Sequence, residues 1–159
     1  AKAIIPNEGK VIKRFESENL GNIGINQEMN AFLHDALHEV TISGTSAGVF
    51  SGFPIATSGK TGTAQVFGKN PNGRLKDDSS WYASFAPAKN PRYVAVLMVS
   101  QGGFGASTSG YGVRKIYETL FGVKGGKVDP AASLFPSGKP PVKLPKISPA
   151  TRPAGEKKK

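Results

Sequence analysis

The stretch "SGKTGTAQVF", residues 58–67, continues like a β-strand but begins with a cation, hydroxyls and a glycine. A strand that serves only packing favours Val or Ile, and glycine weakens it. Lys60 supplies a positive field, while Thr61 and Thr63 supply hydroxyl donors that can hold a carboxylate. Gly62 lets an extended ligand lie against the strand without meeting a Cβ atom. The pattern predicts a strand edge that docks a peptide-like acyl substrate, with a backbone N–H facing a developing oxyanion.

Hydrophobic periodicity and turn signals predict an α/β (α+β) domain, with helices packed on an antiparallel sheet. Antiparallel order is favoured because the connections between the strand candidates are short and turn-rich. The Gly-rich segment 43–52 has room for one helical turn at most, and 102–110 is predicted to be a Gly/Ser loop. The remaining predicted elements are a hairpin at 1–15, a helix at 26–41, strands at 60–67, 80–86 and 92–101, and a helix that ends at Gly122.

Both helices are predicted to bury one apolar face. Asn26 can cap the first helix, and Glu28 suits its positive end. His34 and His38 lie one turn apart, but their flanks lack the HExxH arrangement and a third ligand, so a plain helix face is favoured over a metal site. No cofactor is predicted. The two apolar faces comprise Met29, Phe32, Leu33, Ala36, Leu37 and Val40, and Val113, Ile116, Tyr117, Leu120 and Phe121.

The apolar run "YVAVLMVSQ", residues 93–101, is typical of a strand buried on both faces in the middle of a sheet. The other confident strands both precede it, so one of its edges lacks a partner unless the N-terminal hairpin supplies it. This predicts self-association through an open sheet edge. Trp81 and Tyr82 lie on an adjacent strand, where alternation places at least one of them in the core.

The net charge of +10 is unevenly distributed. Residues 1–122 hold 12 Lys/Arg and 9 Asp/Glu, whereas residues 123–159 hold 9 Lys/Arg and 2 Asp/Glu with recurring prolines. The second range is predicted to be an extended, disordered tail that follows one folded portion, 1–122. Phe135 is the only aromatic residue of this tail, which argues against nucleic-acid stacking.

The order of "KTGT" at 60–63, "SSWYASFAP" at 79–87, "YVAVLMVSQGG" at 93–103 and a closing helix resembles the C-terminal part of a penicillin-binding protein transpeptidase domain. The likeness covers residues 1–122 and is greatest to the monofunctional, high-molecular-weight class B type. The approach to the motif, residues 40–65, is also similar to that family.

The resemblance implies a role for each motif residue in serine acyl transfer, which cross-links D-Ala–D-Ala stem peptides and is blocked by β-lactams. Lys60 would hold the charge and proton network, and Thr61 and Thr63 would bind the substrate carboxylate. Gly62 would keep the strand edge clear, and the Thr63 backbone N–H would form half of the oxyanion hole. It also implies work at the extracytoplasmic face of the bacterial membrane, with an anchoring segment outside this chain.

The sequence departs from the family in one decisive respect, since no serine has a lysine three residues later, as the family's nucleophile motif requires. Ser17-Glu18-Asn19 matches the second motif by letter but is interpreted as chance. The chain is therefore expected to lack the N-terminal part of the domain and to be inactive alone. Two alternatives stay open: a related β-lactam sensor or β-lactamase-like enzyme, and a basic module that binds through its tail.

Overall fold

The computed structural model describes residues 3–4, 13–14, 16 and 18–134, so most of the predicted tail lies outside the described residues. The chain divides into two units, Ala1–Gly24 with Pro140–Lys159, and Ile25–Lys139. In the first unit, β1 (Ala3–Ile4) pairs antiparallel with β2 (Lys13–Arg14), which confirms the predicted hairpin.

The second unit is built on a three-stranded antiparallel sheet in the order β3-β4-β5. Its strands are β3 (Ser58–Ala64), β4 (Ser79–Ala86) and β5 (Tyr93–Val99). The three strands and their antiparallel order are confirmed, but β3 begins two residues and ends three residues earlier than the predicted 60–67. The structure places β4 in the centre and the motif strand β3 at one edge.

Helices flank this sheet as predicted. Helix α1 (Gln27–Ile42) begins at Asn26, whose side chain accepts a 2.7 Å hydrogen bond from the Met29 N–H. The Gly-rich segment holds the single turn α2 (Ala47–Phe50), and α3 (Tyr111–Phe121) ends at Gly122, which has a left-handed φ of 70°. Glycine suits that position because it carries no Cβ atom.

The predicted loop at 102–110 is wrong in its second half, because Ala106–Gly110 forms a π-helical turn that runs directly into α3. The Gly110 N–H donates to the Gly105 carbonyl at 3.0 Å, five residues back. Small buried side chains at Ala106 and Ser109 let this turn pack closely on β4, where the Ser109 hydroxyl donates to the Ser80 carbonyl. Composition alone indicated a loop, and this packing overrides it.

The core lies on one face of the sheet, between its strands and α2 and α3. Tyr82 and Tyr117 are fully buried there, which confirms that one member of the Trp81–Tyr82 pair is a core residue. The Tyr117 hydroxyl donates to Ser84 Oγ at 3.1 Å, and that hydroxyl donates to the Ser58 carbonyl at 2.7 Å. The apolar core comprises Val49, Phe50, Tyr82, Ala86, Ala95, Ala106, Val113, Tyr117 and Phe121.

The opposite side of the sheet, here called the exposed sheet face, consists of Trp81, Val94, Val96 and Met98. Val94 is 76% exposed and Val96 58% exposed, so the expectation that β5 is buried on both faces is wrong for the described chain. Helix α1 contacts this side near Phe85, whose ring centroid lies 5.0 Å from that of His34. Two-sided burial needs a second packed layer, and the described residues supply one complete layer, on the core side.

The apolar face predicted for α1 is also largely exposed. Phe32 is 66% exposed and Met29 51% exposed, whereas Leu37 and Val40 are half-buried. The helix and its cap are therefore confirmed, but the burial expected for its N-terminal turns is not observed. Helical periodicity shows which side chains share a face, but it does not show which other element covers that face. The prediction therefore identified the face correctly and its burial wrongly.

Residues 123–134, placed in the extended tail by their composition, are folded. Strands β6 (Val123–Lys124) and β7 (Lys127–Val128) form a hairpin, and Pro130–Ala132 form a short 3₁₀ helix. Gly125 and Gly126 have φ values of 56° and 74°, which suits the tight turn of a two-residue hairpin. The Leu134 N–H donates to the Thr119 carbonyl at 3.0 Å, so this segment is tied to α3.

Candidate functional site

Lys60 lies near the middle of β3 with an exposed side chain. Its Nζ donates to the Thr61 carbonyl at 3.1 Å. Among the described residues both ion pairs belong to Glu118 on α3, so no described carboxylate neutralises Lys60. The ammonium is therefore available to a ligand approaching the strand.

The motif side chains alternate across β3. Thr61 and Thr63 pair in register with Tyr82 and Ser80, on the core side of the sheet, whereas Lys60 lies opposite Ala83, on the other side. The lysine and the hydroxyls that were expected to hold one carboxylate are thus on different faces, because successive side chains of a strand point to opposite faces. A ligand can meet both groups only along the strand edge, which makes edge docking the geometry that the residues allow.

The open edge of β3 offers backbone groups as well. Within the described chain β3 pairs with β4 on one side only. Alternate N–H and C=O groups of an edge strand are directed away from its partner, so they can pair with an extended peptide. This edge has the capacity to bind a substrate in a further antiparallel strand.

Thr61 has a hydroxyl neighbour that the sequence analysis did not identify. Its Oγ1 lies 3.2 Å from Thr45 Oγ1, on the turn between α1 and α2. Thr45 is exposed and lies in the Gly-rich segment 43–52, before the motif strand. The presence of a hydroxyl in a Gly-rich turn could have suggested Thr45 as a site residue. Nothing in the sequence indicated which residue of the strand it contacts.

Thr63 contacts the loop that precedes α3. The Gly105 N–H donates to Thr63 Oγ1 at 3.4 Å. Gly105 packs so closely on the strand that an added Cβ atom would lie 2.5 Å from the Gly62 carbonyl oxygen and 2.8 Å from that of Trp81. The first half of the predicted loop therefore lies directly against the motif strand.

Gly62 has a structural role in addition to any ligand role. A Cβ atom built on it would lie 3.1 Å from Trp81 Cβ, on the adjacent strand. Such a contact is tighter than ordinary van der Waals packing, so the absent side chain relieves crowding inside the sheet. Packing against β4 thus favours glycine at this position.

The residue before β3 is anchored to α1. His38 Nδ1 lies 2.6 Å from the Thr57 carbonyl oxygen, and the Thr41 hydroxyl donates to the same oxygen at 2.7 Å. The His34 ring packs against Phe85 at a tilted angle of 54°, so each histidine contacts the sheet layer. Residues 3–4, 13–14, 16 and 18–134 contain no group of three or more His, Cys, Asp or Glu side chains that could hold a metal ion.

Comparison with known proteins finds a match between residues 3–138 and the family described as penicillin binding protein transpeptidase domain. The chain is 33% identical over 102 residues to a peptidoglycan D,D-transpeptidase FtsI homolog of Mesostigma viride, covering 61% of this chain and 16% of that protein. It is 34% identical over 88 residues to the peptidoglycan D,D-transpeptidase MrdA of Salmonella typhimurium, covering 50% and 14%. The matched segments of this chain therefore span only 16% and 14% of the length of these relatives.

Among solved structures, the ceftriaxone acyl-enzyme complex of penicillin-binding protein A from M. tuberculosis superposes with a TM-score of 0.50. That alignment covers 74% of this chain and 26% of the solved chain, at 19% sequence identity. It supports the fold, a mixed antiparallel sheet with packed helices.

Proposed function

The chain belongs to the penicillin-binding protein transpeptidase family, and we propose that it is the C-terminal part of a class B peptidoglycan D,D-transpeptidase domain. The observation that carries this proposal is the position of "KTGT" on an edge strand of the described sheet, with the lysine on one face of that strand and both threonine hydroxyls on the other. A substrate with an extended peptide backbone and a free carboxylate fits this edge. D-Ala–D-Ala stem peptides and β-lactams both carry such a carboxylate.

Each motif residue has a proposed role in acyl transfer. Lys60 holds the charge and proton network of the site, and the Thr61 and Thr63 hydroxyls donate to the substrate carboxylate. Gly62 leaves the strand edge open to the substrate backbone. The Thr63 backbone N–H stabilises the oxyanion of the tetrahedral intermediate, together with the N–H of the nucleophile.

The proposed reaction proceeds through a covalent acyl-enzyme. A serine hydroxyl outside this chain loses its proton and attacks the carbonyl between the two D-alanines, and the C–N bond breaks to release D-Ala. The amine of a second stem peptide then attacks the ester, so a new amide forms and the serine is regenerated. A β-lactam acylates the same serine, with its ring amide as the bond that opens.

The exposed apolar surfaces favour a missing part of the same domain as the partner of this chain. The exposed sheet face and the N-terminal turns of α1 leave large side chains uncovered, which is costly for a lone domain in water. The matched relatives are far longer than the matched segment. We propose that the remainder of the transpeptidase domain, which carries the serine, covers these surfaces, and that this chain alone is inactive.

The proposed site of action is the extracytoplasmic face of a bacterial membrane, where stem peptides are cross-linked. No described helix is long and apolar enough to cross a bilayer. Independently of that finding, we propose from the family that the anchor is a segment outside this chain.

The test is acylation of the longer protein that we propose contains this chain. A fluorescent penicillin should give a covalent band above 16.7 kDa, whereas the 159-residue chain alone stays unlabelled. Lys60→Ala should lower the labelling rate by about a hundredfold or more, because proton transfer and charge stabilisation are both impaired. Lys69→Ala, at another exposed lysine, is the matched control and should label normally.

The same experiment separates the alternatives. A β-lactamase-like enzyme would release the label by hydrolysis within minutes, and a sensor would keep the label but would not join two stem peptides. A folded protein that takes no label would contradict the proposed function.

A further inference from the structure

The hydroxyl pair formed by Thr45 and Thr61 joins the motif strand to a turn that lies 16 residues earlier in the chain. Thr45 is exposed, and Thr61 is half-buried. Their oxygens are 3.2 Å apart, and either one can be the donor. The pair thus lies at the surface, beside the proposed position of the substrate carboxylate.

Thr45 is held in place by both of its neighbours in the chain. Ser46 is fully buried, its hydroxyl donates to the Val40 carbonyl at 3.0 Å, and it lies 2.8 Å from the Tyr82 hydroxyl. A Cβ atom added to Gly44 would lie 2.8 Å from Val40 Cα, so the turn packs tightly on the end of α1. These contacts hold the backbone on either side of Thr45 and so place its side chain beside Thr61.

The hydroxyl pair has one donor proton more than its mutual hydrogen bond uses. Each threonine hydroxyl has one donor, and the contact between the two oxygens uses one of them. When Thr45 donates to Thr61, the Thr61 proton is left free and points toward a further acceptor. A hydrogen bond received by Thr61 also polarises its O–H group, which strengthens the bond that Thr61 donates.

We propose that Thr45 is a positioning residue for Thr61: by donating to Thr61 Oγ1 it directs the Thr61 proton toward the substrate carboxylate. This inference rests on the proposed function. It adds a residue outside the four-residue motif to carboxylate recognition, and it assigns the α1–α2 turn a part in substrate selection.

The test compares Thr45→Val, which keeps the shape and removes the hydroxyl, with Thr45→Ser, which keeps the hydroxyl. Thr119→Val is the matched control, because Thr119 is an exposed threonine whose hydroxyl donates only within α3, to the Lys115 carbonyl at 3.2 Å. Each variant is made in the longer protein. Its second-order rate of acylation is measured with a penicillin as the free acid and as the uncharged methyl ester.

Thr45→Val should slow acylation by the free acid about tenfold, as expected for a weakened hydrogen bond to a charged group. The methyl ester should change by less than about twofold, since it lacks the carboxylate that Thr61 recognises. Thr45→Ser should restore the wild-type rate with the free acid, and Thr119→Val should leave both rates unchanged.

Two results would overturn the inference while the proposed function stands. Equal slowing with acid and ester would show that Thr45 only maintains local structure, and unchanged rates with both would show that it plays no part. A wild-type protein that neither compound acylates would instead overturn the proposed function, and the inference with it. Thermal unfolding of each variant identifies any loss of rate caused by misfolding.

Discussion

At the scale of the residue, the motif combines groups that a strand divides between its two faces. Lys60 and the two threonines are adjacent in sequence, yet they lie on opposite sides of β3 and share only its edge. Alternation with a period of two contains this information, so the division was predictable from the sequence. The contact between Thr45 and Thr61 was not predictable, because it depends on how the α1–α2 turn packs on Tyr82.

Tyr117 gives a pH-dependent prediction for the core. Burial raises the pKa of its phenol to about 12 from the ordinary value of 10.0, more than the hydrogen bond to Ser84 lowers it. Above pH 10 the unfolded chain therefore loses a proton that the folded chain keeps, and the free energy of unfolding should fall by about 2–3 kcal/mol by pH 12. Burial raises the pKa of Tyr82 as well, which makes the free energy of unfolding fall more steeply with pH.

Urea unfolding of the chain between pH 8 and 12 measures this slope. Tyr117→Phe should flatten part of it, since the variant has no phenol to ionise, whereas Tyr111→Phe, at an exposed tyrosine, is the control and should leave it unchanged. A slope that Tyr117→Phe does not alter would contradict the assignment.

At the scale of the element, sequence periodicity located the helices and strands within a few residues. Asn26 and Gly122 act at the ends of α1 and α3 as their residue types predict. Two segments were mispredicted, Ala106–Gly110 and 123–134, because both are rich in residues typical of loops but are held by contacts to β4 and α3. Composition describes local preference, and tertiary contacts override it where they are numerous.

The free edge of β5 leads to a prediction about association. Among the described strands β5 pairs only with β4, and its exposed apolar side chains offer little protection against pairing with a second copy. The isolated chain should therefore self-associate at micromolar concentration, as measured by sedimentation velocity. Val96→Lys should shift it toward the monomer, because a charge on an edge strand opposes edge-to-edge pairing.

Thr119→Lys, which adds the same charge to an exposed position of α3, is the control for that change and should not affect association. A monomeric wild-type chain with protected amides at residues 93–99 would rule out association through this edge.

At the scale of the whole molecule, one side of the described sheet lacks a covering layer. The core side of the sheet is covered by α2 and α3, and the other side keeps large apolar side chains in water. The apolar core of this unit therefore lies on one side of the sheet. The uncovered side agrees with matched segments that span only 16% and 14% of the length of the relatives.

The basic C-terminal segment gives a prediction at this scale. Residues 135–159 hold 7 Lys/Arg and 1 Glu, whereas the proposed site lies on β3. Removing 135–159 from the longer protein should change penicillin labelling by less than about twofold, because the deletion keeps the hairpin and the 3₁₀ helix that pack on α3. Binding to heparin beads, measured in parallel, should weaken, since the deletion removes 7 Lys/Arg and only 1 Glu.

Loss of labelling from a deletion variant that still unfolds cooperatively would contradict this prediction and would assign the segment a role in acylation.

The sequence by itself determined the motif, the order of the elements and their amphipathic faces, because these depend on residues close together in the chain. Only the tertiary structure decided what covers each face, since burial depends on layers contributed from elsewhere. It also decided which hydroxyl meets Thr61, a contact across 16 residues that arises from the packing of Ser46 on Tyr82. Local pattern specifies an element and the direction of its side chains, whereas a contact between distant residues requires the packed core that brings them together.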